Sequence, residues 1–328
     1  MEKNDKAQFK ITKKKKIGLS IILVLIISLI TFNVFKSLEP VSKLSSGQQK
    51  SLITAETNAV KNNQKPDDII GSLYPRMKKL SGDYKYQAVD LIYTSMQNSS
   101  LYYNNAAYMM SGEIDYSRSG SNPLSASKHN YWVLGFQKEM DNQKLFINGI
   151  NTSTLIVMPD FKYLNDTYYK YSSSEMQALI TAGSNAQDYN AFKNGKTDEY
   201  AAAKAFNSAA LGYVKIKAIN KNSKYIQDVN SLMRFYHDSA LGLISTSDVK
   251  TSGEYTVFNK NAINNLNRIK NSKLLLSKEA KSLLNDMKDG KVKTTTISDL
   301  ANKSLKTYGS SVYWQSSADI SALTESGK

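Results

Sequence analysis

Cysteine is absent from this chain of 328 residues, and histidine and proline are scarce. A chain without cysteine has no disulfides, no thiolate metal sites and no cysteine nucleophile. A cysteine-free protein of this size that works outside a membrane is typical of a Gram-positive exterior, where stability must come from packing. The four arginines stand alone, so the sequence predicts no nucleic-acid partner.

Common catalytic and cofactor-binding motifs are also missing. The sequence contains no GxSxG nucleophile elbow, no GxxxxGKS/T phosphate loop, no GxGxxG dinucleotide loop and no EF-hand loop. Neither HExxH nor HxH occurs, so no histidine spacing typical of a metal site is present. We therefore expect no cofactor and no metal site, and we favour a binding function over an enzymatic one.

Four side chains remain as candidates for catalysis. His129 and His237 lie among aromatic residues, and a histidine pKa near neutrality suits a general base. Glu113 and Asp115 lie two residues apart in a loop rich in serine and glycine over 111–123, and glycan hydrolysis uses a pair of carboxylates. Isolated histidines in such surroundings are more often structural, and carboxylates in such a loop are more often solvated.

An apolar segment near the N-terminus determines the predicted location. Lys13, Lys14, Lys15 and Lys16 lead directly into 17–35, a stretch of 19 residues without a charged side chain. A helix of this length spans about 28 Å, close to the roughly 30 Å hydrocarbon thickness of a bilayer. We expect one transmembrane helix in the cell membrane, flanked by these lysines. The lysine excess before it predicts a cytoplasmic N-terminus and an extracellular remainder.

A cleaved signal peptide is the alternative interpretation of this segment. The apolar run is longer than the usual core of about 7–15 residues. Residues 35–40 offer no small-x-small cleavage site, and 45–47 lie well beyond the apolar end. An uncleaved anchor is therefore the prediction.

The positive charge is shared between the anchor flank and the outer part. The formal net charge is +15, and the first 36 residues hold eight lysines and two acidic residues, which leaves +9 on the remainder. This charge aids solubility and also attracts lipid headgroups or wall polymers. The predicted partners are the lipid bilayer and either a protein or an anionic wall polymer; the oligomeric state stays open.

Apolar spacing predicts a mainly α fold: a transmembrane helix followed by an extracytoplasmic helical bundle. Residues 144–158 favour a small β-hairpin around Asn148-Gly149, with a helix start at 151–153 as the alternative. The predicted organisation is a basic tail over 1–16, the transmembrane helix over 17–35, a spacer over 36–50, a helical domain over 51–250, a smaller subdomain over 251–314 and a loose tail over 315–328. Helices are expected near 48–63, over 66–80 with a kink at Pro75, over 82–110 and from 124 onwards. A capping box at Ser172 and Glu175 predicts the start of a further helix that ends at Gly183. The remaining helices are expected over 199–217, 225–236, 258–269, 276–287 and 297–305.

Two groups of aromatic residues suggest a binding face. Tyr102, Tyr103, Tyr108, Tyr116, Tyr131 and Trp132 form the first, and Tyr163, Tyr168, Tyr169 and Tyr171 form the second. Exposed tyrosines make favourable contacts to proteins or glycans, whereas tyrosines at helical spacing are more often buried. Neighbours in a helix cannot both face one core, so either Tyr168 or Tyr169 should lie near the surface.

These features favour a membrane-anchored binding or scaffold protein of a Gram-positive-type envelope. An accessory part of a secretion, conjugation or wall-assembly machine fits this description. The alternatives are a wall-active glycan hydrolase that uses Glu113, and an envelope sensor or immunity-type protein.

Overall fold

The computed structural model describes residues 42–110, 131–151, 154–193, 196–244 and 248–310. The basic tail, the membrane segment, residues 36–41 of the spacer and the C-terminal tail predicted above lie outside these ranges. Over the described residues the protein is mainly helical, as predicted, with small antiparallel sheets. Within the same residues, no helix is both long and apolar enough to cross a membrane.

Along the described chain, short antiparallel sheets lie between successive groups of helices. The helices are α1 (Ser46–Lys61), α2 (Pro66–Leu73), α3 (Gly82–Met110), α4 (Tyr131–Asn142), α5 (Phe161–Tyr168), α6 (Ser174–Asp188), α7 (Glu199–Ile219), α8 (Ile226–Ala240), α9 (Lys260–Lys270), α10 (Ser277–Asp286) and α11 (Thr294–Tyr308). The strands are β1 (Leu145–Asn151), β2 (Thr154–Pro159), β3 (Phe192–Lys193), β4 (Lys196–Thr197), β5 (Val249–Ser252), β6 (Tyr255–Phe258) and β7 (Lys291–Lys293). Strands β1 and β2 pair, as do β3 and β4, and β6 lies between β5 and β7.

Helices α6, α7 and α8 pack together at the centre of the compact unit that begins at residue 45. Small residues of α7 are buried in this packing, and Ala205 and Ala209 are fully buried. A Cβ atom added to Gly212 would lie only 2.4 Å from the Cβ atom of Ala182 in α6. The two helices therefore approach at a distance that only glycine permits.

Helix α6 begins and ends later than predicted. Ser173, rather than Ser172, caps it, and its hydroxyl accepts a hydrogen bond from the Met176 backbone at 3.3 Å. The helix continues through Gly183, where the sequence predicted its end. A Cβ atom at this position would lie 2.3 Å from the ring of Phe161. The glycine therefore serves close packing inside the helix and does not terminate it.

Replacing Gly183 with alanine should destabilise the protein by about 1–3 kcal/mol, because the Phe161 ring must move to admit a methyl group. The matched control is Gly71→Ala in α2, where a Cβ atom meets nothing within 4 Å. That change should be neutral or stabilise the fold by up to about 1 kcal/mol, since alanine is the better helix former. Chemical denaturation of both variants measures the difference, and equal stabilities would contradict this packing.

Strands β1 and β2 form the hairpin that the sequence favoured over 144–158, but in another register. Leu145 pairs with Pro159, and Gly149 pairs with Leu155. Asn148 and Gly149 therefore lie inside β1 rather than in a turn. The pairing shifts just after Gly149, as at a β-bulge, and glycine is a common residue at such irregularities.

The predicted boundary between the helical domain over 51–250 and the smaller subdomain over 251–314 falls within a sheet. Strands β5 and β6 pair around a turn in which Gly253 has φ of +60°, and β7 adds to β6 after two intervening helices. These strands span only three or four residues each, too few to give a clear alternating pattern. The smaller subdomain over 251–314 stays a prediction.

Candidate functional site

A groove of about 620 Å³ lies where the α1–α2 connection, α3 and the end of α4 meet. Its size falls within the range of about 300–1,000 Å³ that is usual for ligand clefts. We call it the Tyr102 groove. Amide and aromatic side chains dominate its lining, which consists of Asn63, Gln64, Lys65, Asn98, Ser99, Leu101, Tyr102, Tyr103 and Gln143.

Tyr102 and Leu101 provide an exposed apolar surface in the groove. The Tyr102 side chain is 69% exposed, and Leu101 is 41% exposed. The Tyr102 ring meets Tyr103 edge-on, with 5.1 Å between the ring centroids, so the two rings restrict each other. An exposed tyrosine offers a large contact area at a low cost in conformational entropy. This surface is suited to binding.

A hydrogen-bonded network around Glu139 holds the Tyr103 side chain. Lys65 Nζ donates to Glu139 Oε1 at 2.6 Å, and the Tyr103 hydroxyl donates to the same atom at 3.1 Å. Gln143 Nε2 donates to this oxygen at 2.6 Å and to the Tyr103 hydroxyl at 2.8 Å. The bond from the Lys65 ammonium lowers the pKa of the Glu139 carboxyl. Glu139 is thus held ionised, whereas a carboxyl that acts as a general acid needs a raised pKa.

Gln143 keeps one hydrogen-bonding atom free. The side chain is fully buried, and its Oε1 atom has no hydrogen-bond partner. An unsatisfied buried acceptor costs roughly 1–3 kcal/mol, which a suitable donor would recover. Because Gln143 also lines the groove, the site combines exposed rings with an unused acceptor.

The structure places only some of the residues predicted as a binding face or as catalytic. Tyr168 is fully buried and meets Tyr74 edge-on, whereas Tyr169 is 42% exposed, so only Tyr169 of this pair is available to a partner. Neither residue lines the Tyr102 groove. Other predicted residues lie outside what the structure describes, namely Lys13, Lys14, Lys15, Lys16, Glu113, Asp115, Tyr116, His129 and the side chains of Tyr131 and Trp132.

His237 of α8 is buried between two carboxylates. Its Nδ1 atom lies 2.9 Å from Asp238, and its Nε2 atom lies 3.0 Å from Glu279 of α10. Burial alone lowers the pKa of this imidazole, but the hydrogen bonds to both carboxylates outweigh it and raise the pKa to about 8. His237 is therefore mostly protonated at neutral pH and joins α8 to α10.

A serine near His237 does not form a catalytic triad with it. The Ser304 hydroxyl donates to Asp238 Oδ1 at 2.6 Å rather than to the imidazole. Both ring nitrogens of His237 are occupied by carboxylates, and a triad needs one of them to receive a proton from the nucleophile. In the described part of the chain, no group of three potential ligands could hold a metal ion. The geometry thus favours a structural role for His237.

Stability should fall as the pH rises through the pKa of His237. An unfolded histidine has a pKa of about 6.5, so a folded value of about 8 means that folding favours the imidazolium. This contribution of about 2 kcal/mol is complete below pH 6.5 and is lost as the pH rises through 8. Denaturation between pH 6 and 9 measures it, and Glu279→Gln should flatten the profile. An unchanged profile in that variant would contradict the proposed link.

Glu199 should give a second, separable pH dependence. Burial raises the pKa of its carboxyl to about 7, and its Oε1 atom has no hydrogen-bond partner while Asn265 donates to Oε2 at 2.7 Å. Folding therefore favours the protonated acid, and stability falls as the pH rises from about 4.5 through 7. Glu199→Gln should remove this fall and stabilise the protein at pH 8 by about 1–3 kcal/mol. A loss of stability at pH 8 in this variant would contradict the description of Glu199.

Comparison with family models, with curated proteins and with solved structures found no match for this chain.

Proposed function

We propose that the chain is a membrane-anchored extracytoplasmic binding or scaffold protein of a Gram-positive-type envelope that holds a partner in the Tyr102 groove. The apolar segment over 17–35 and its lysine flank support the anchor. An accessory role in a secretion, conjugation or wall-assembly machine is the form of this function that we favour.

One observation carries the binding function: exposed apolar side chains lie in a groove that is otherwise lined mainly by amides and hydroxyls. Leu101 and Tyr102 leave much of their surface in solvent, and burial under a partner would be favourable. Aromatic anchors surrounded by polar groups are typical of protein interfaces.

The charge of the groove favours a protein over an anionic wall polymer. Lys65 is the one cationic residue in the described lining, and its ammonium group already pairs with Glu139 at 2.6 Å. The other polar groups there are amides and hydroxyls. A polyanion would gain little from this lining, whereas a polypeptide segment offers both apolar side chains and N–H donors.

Cysteine-directed crosslinking on intact cells tests this function, because the chain has no cysteine of its own. Asn98→Cys places a unique thiol in the exposed lining of the groove and leaves the Tyr102 ring in place. The control is Tyr255→Cys, at a 44% exposed position outside the groove. A membrane-impermeant reagent should label both variants if the residues lie outside the cell. Only the Asn98→Cys variant should form a defined adduct with an envelope protein.

A further substitution makes the test specific to the groove. Leu101→Asp places a charge beside the thiol and should abolish the adduct, because it removes apolar contact area and opposes desolvation. Failure of the impermeant reagent to label either variant would contradict the extracellular location. Equal adducts from both positions, or an adduct that survives Leu101→Asp, would contradict the assignment of the groove.

A further inference from the structure

Helix α7 exposes a line of apolar side chains on the side that faces away from the core. Leu211 is 65% exposed and Val214 is 62% exposed, and Ala218 is also exposed. Their spacing of three and four residues places them on one face of the helix. We call these three residues the α7 outer face.

The apolar surface continues beyond α7 onto the connection between α9 and α10. Leu275, which is 62% exposed, donates its backbone N–H to Asn207 Oδ1 at 3.2 Å. Asn207 precedes Leu211 by one helical turn on the same side of α7. Leu275 therefore extends the line formed by the α7 outer face.

Lysines border this apolar line in the sequence. The exposed ones are Lys215 and Lys217 in α7, Lys221 just after it, Lys273 in the α9–α10 connection and Lys278 in the first turn of α10. No acidic residue occurs between 200 and 227. Carboxylates of other elements that are described near this face are already engaged: Glu175 accepts hydrogen bonds from Asn220 and Ser223, Asp90 pairs with Lys224, and Glu279, which follows Lys278, pairs with His237.

We propose that the α7 outer face and Leu275 contact the surface of an anionic bilayer. Leucine and valine would enter the boundary between headgroups and acyl chains, while the bordering lysines would pair with lipid phosphates. Single exposed apolar residues are ordinary on soluble proteins, but an aligned set bordered by lysines matches an interfacial contact. The inference rests on the membrane anchor of the proposed function, since the anchor supplies the bilayer.

Lipid-mediated quenching in the full-length protein tests this contact. Val214→Cys gives a unique attachment point for a fluorophore, and Tyr255→Cys on β6 is the matched control. Each labelled protein is reconstituted into vesicles rich in phosphatidylglycerol or made of phosphatidylcholine, both containing a spin-labelled quencher lipid. The ratio of membrane-bound to free α7 outer face should rise about fivefold for each lysine engaged, so the label at position 214 should be quenched more strongly in the anionic vesicles. The label at position 255 should not be quenched.

A charge-reversal variant and vesicle flotation separate the outcomes. Reversing Lys215, Lys217 and Lys221 to glutamate should abolish quenching at position 214, as should high salt. A protein that floats with vesicles but shows no quenching at position 214 overturns this inference and leaves the proposed function intact. A protein that does not float overturns the anchor and the inference together. If the label at position 214 shows self-quenching that rises with protein concentration in the absence of lipid, the α7 outer face binds a second copy of the chain. That result overturns the inference.

Discussion

Contact between small residues of neighbouring helices is the constraint on which the remaining packing depends. Gly212 of α7 lies close to Ala182 of α6 and so lets the two helices approach each other. Gly183 of α6 leaves room for the Phe161 ring of α5. That ring lies 6.1 Å from the Tyr93 ring of α3, so the helix that carries the Tyr102 groove packs against the same core. The glycine at position 183 therefore helps to determine, through Phe161 and Tyr93, where the exposed rings of the groove lie.

The sequence predicted the helices well where apolar spacing was long and regular. The helix over 82–110 was predicted with the bounds that the structure shows. Where the sequence predicted a kink at Pro75, the α-helix instead ends at Leu73 and residues 74–79 form a 3-10 helix. The failures have local causes. Gly183 resembled a helix terminator because glycine has two uses, and the sequence does not reveal the ring that packs against it. The sheet of β5, β6 and β7 was missed because its strands span only three or four residues each, and because β7 pairs with β6 only after two intervening helices.

The candidate site could be predicted only in part. Tyr102 and Tyr103 belong to the first aromatic group, so the sequence contained a signal for one wall of the groove. Lys65 and Gln143 had none, because they reach the groove from the α1–α2 connection and the end of α4. Burial also cannot be read from residue type alone: Tyr168 and Tyr169 are chemically identical neighbours, yet only one is exposed. The sequence-distant Glu279 likewise determines the surroundings of His237.

The cluster around His237 has a consequence for how the chain matures. Its imidazole meets a carboxylate 42 residues later in the sequence, and Asp238 meets a hydroxyl 66 residues later. A chain that is synthesised from its N-terminus presents α8 before either of these groups has emerged. Until they arrive, this helix carries charges and apolar side chains without their native neighbours. The growing chain should thus pass through a partly folded intermediate that is sensitive to proteases until the last helix docks.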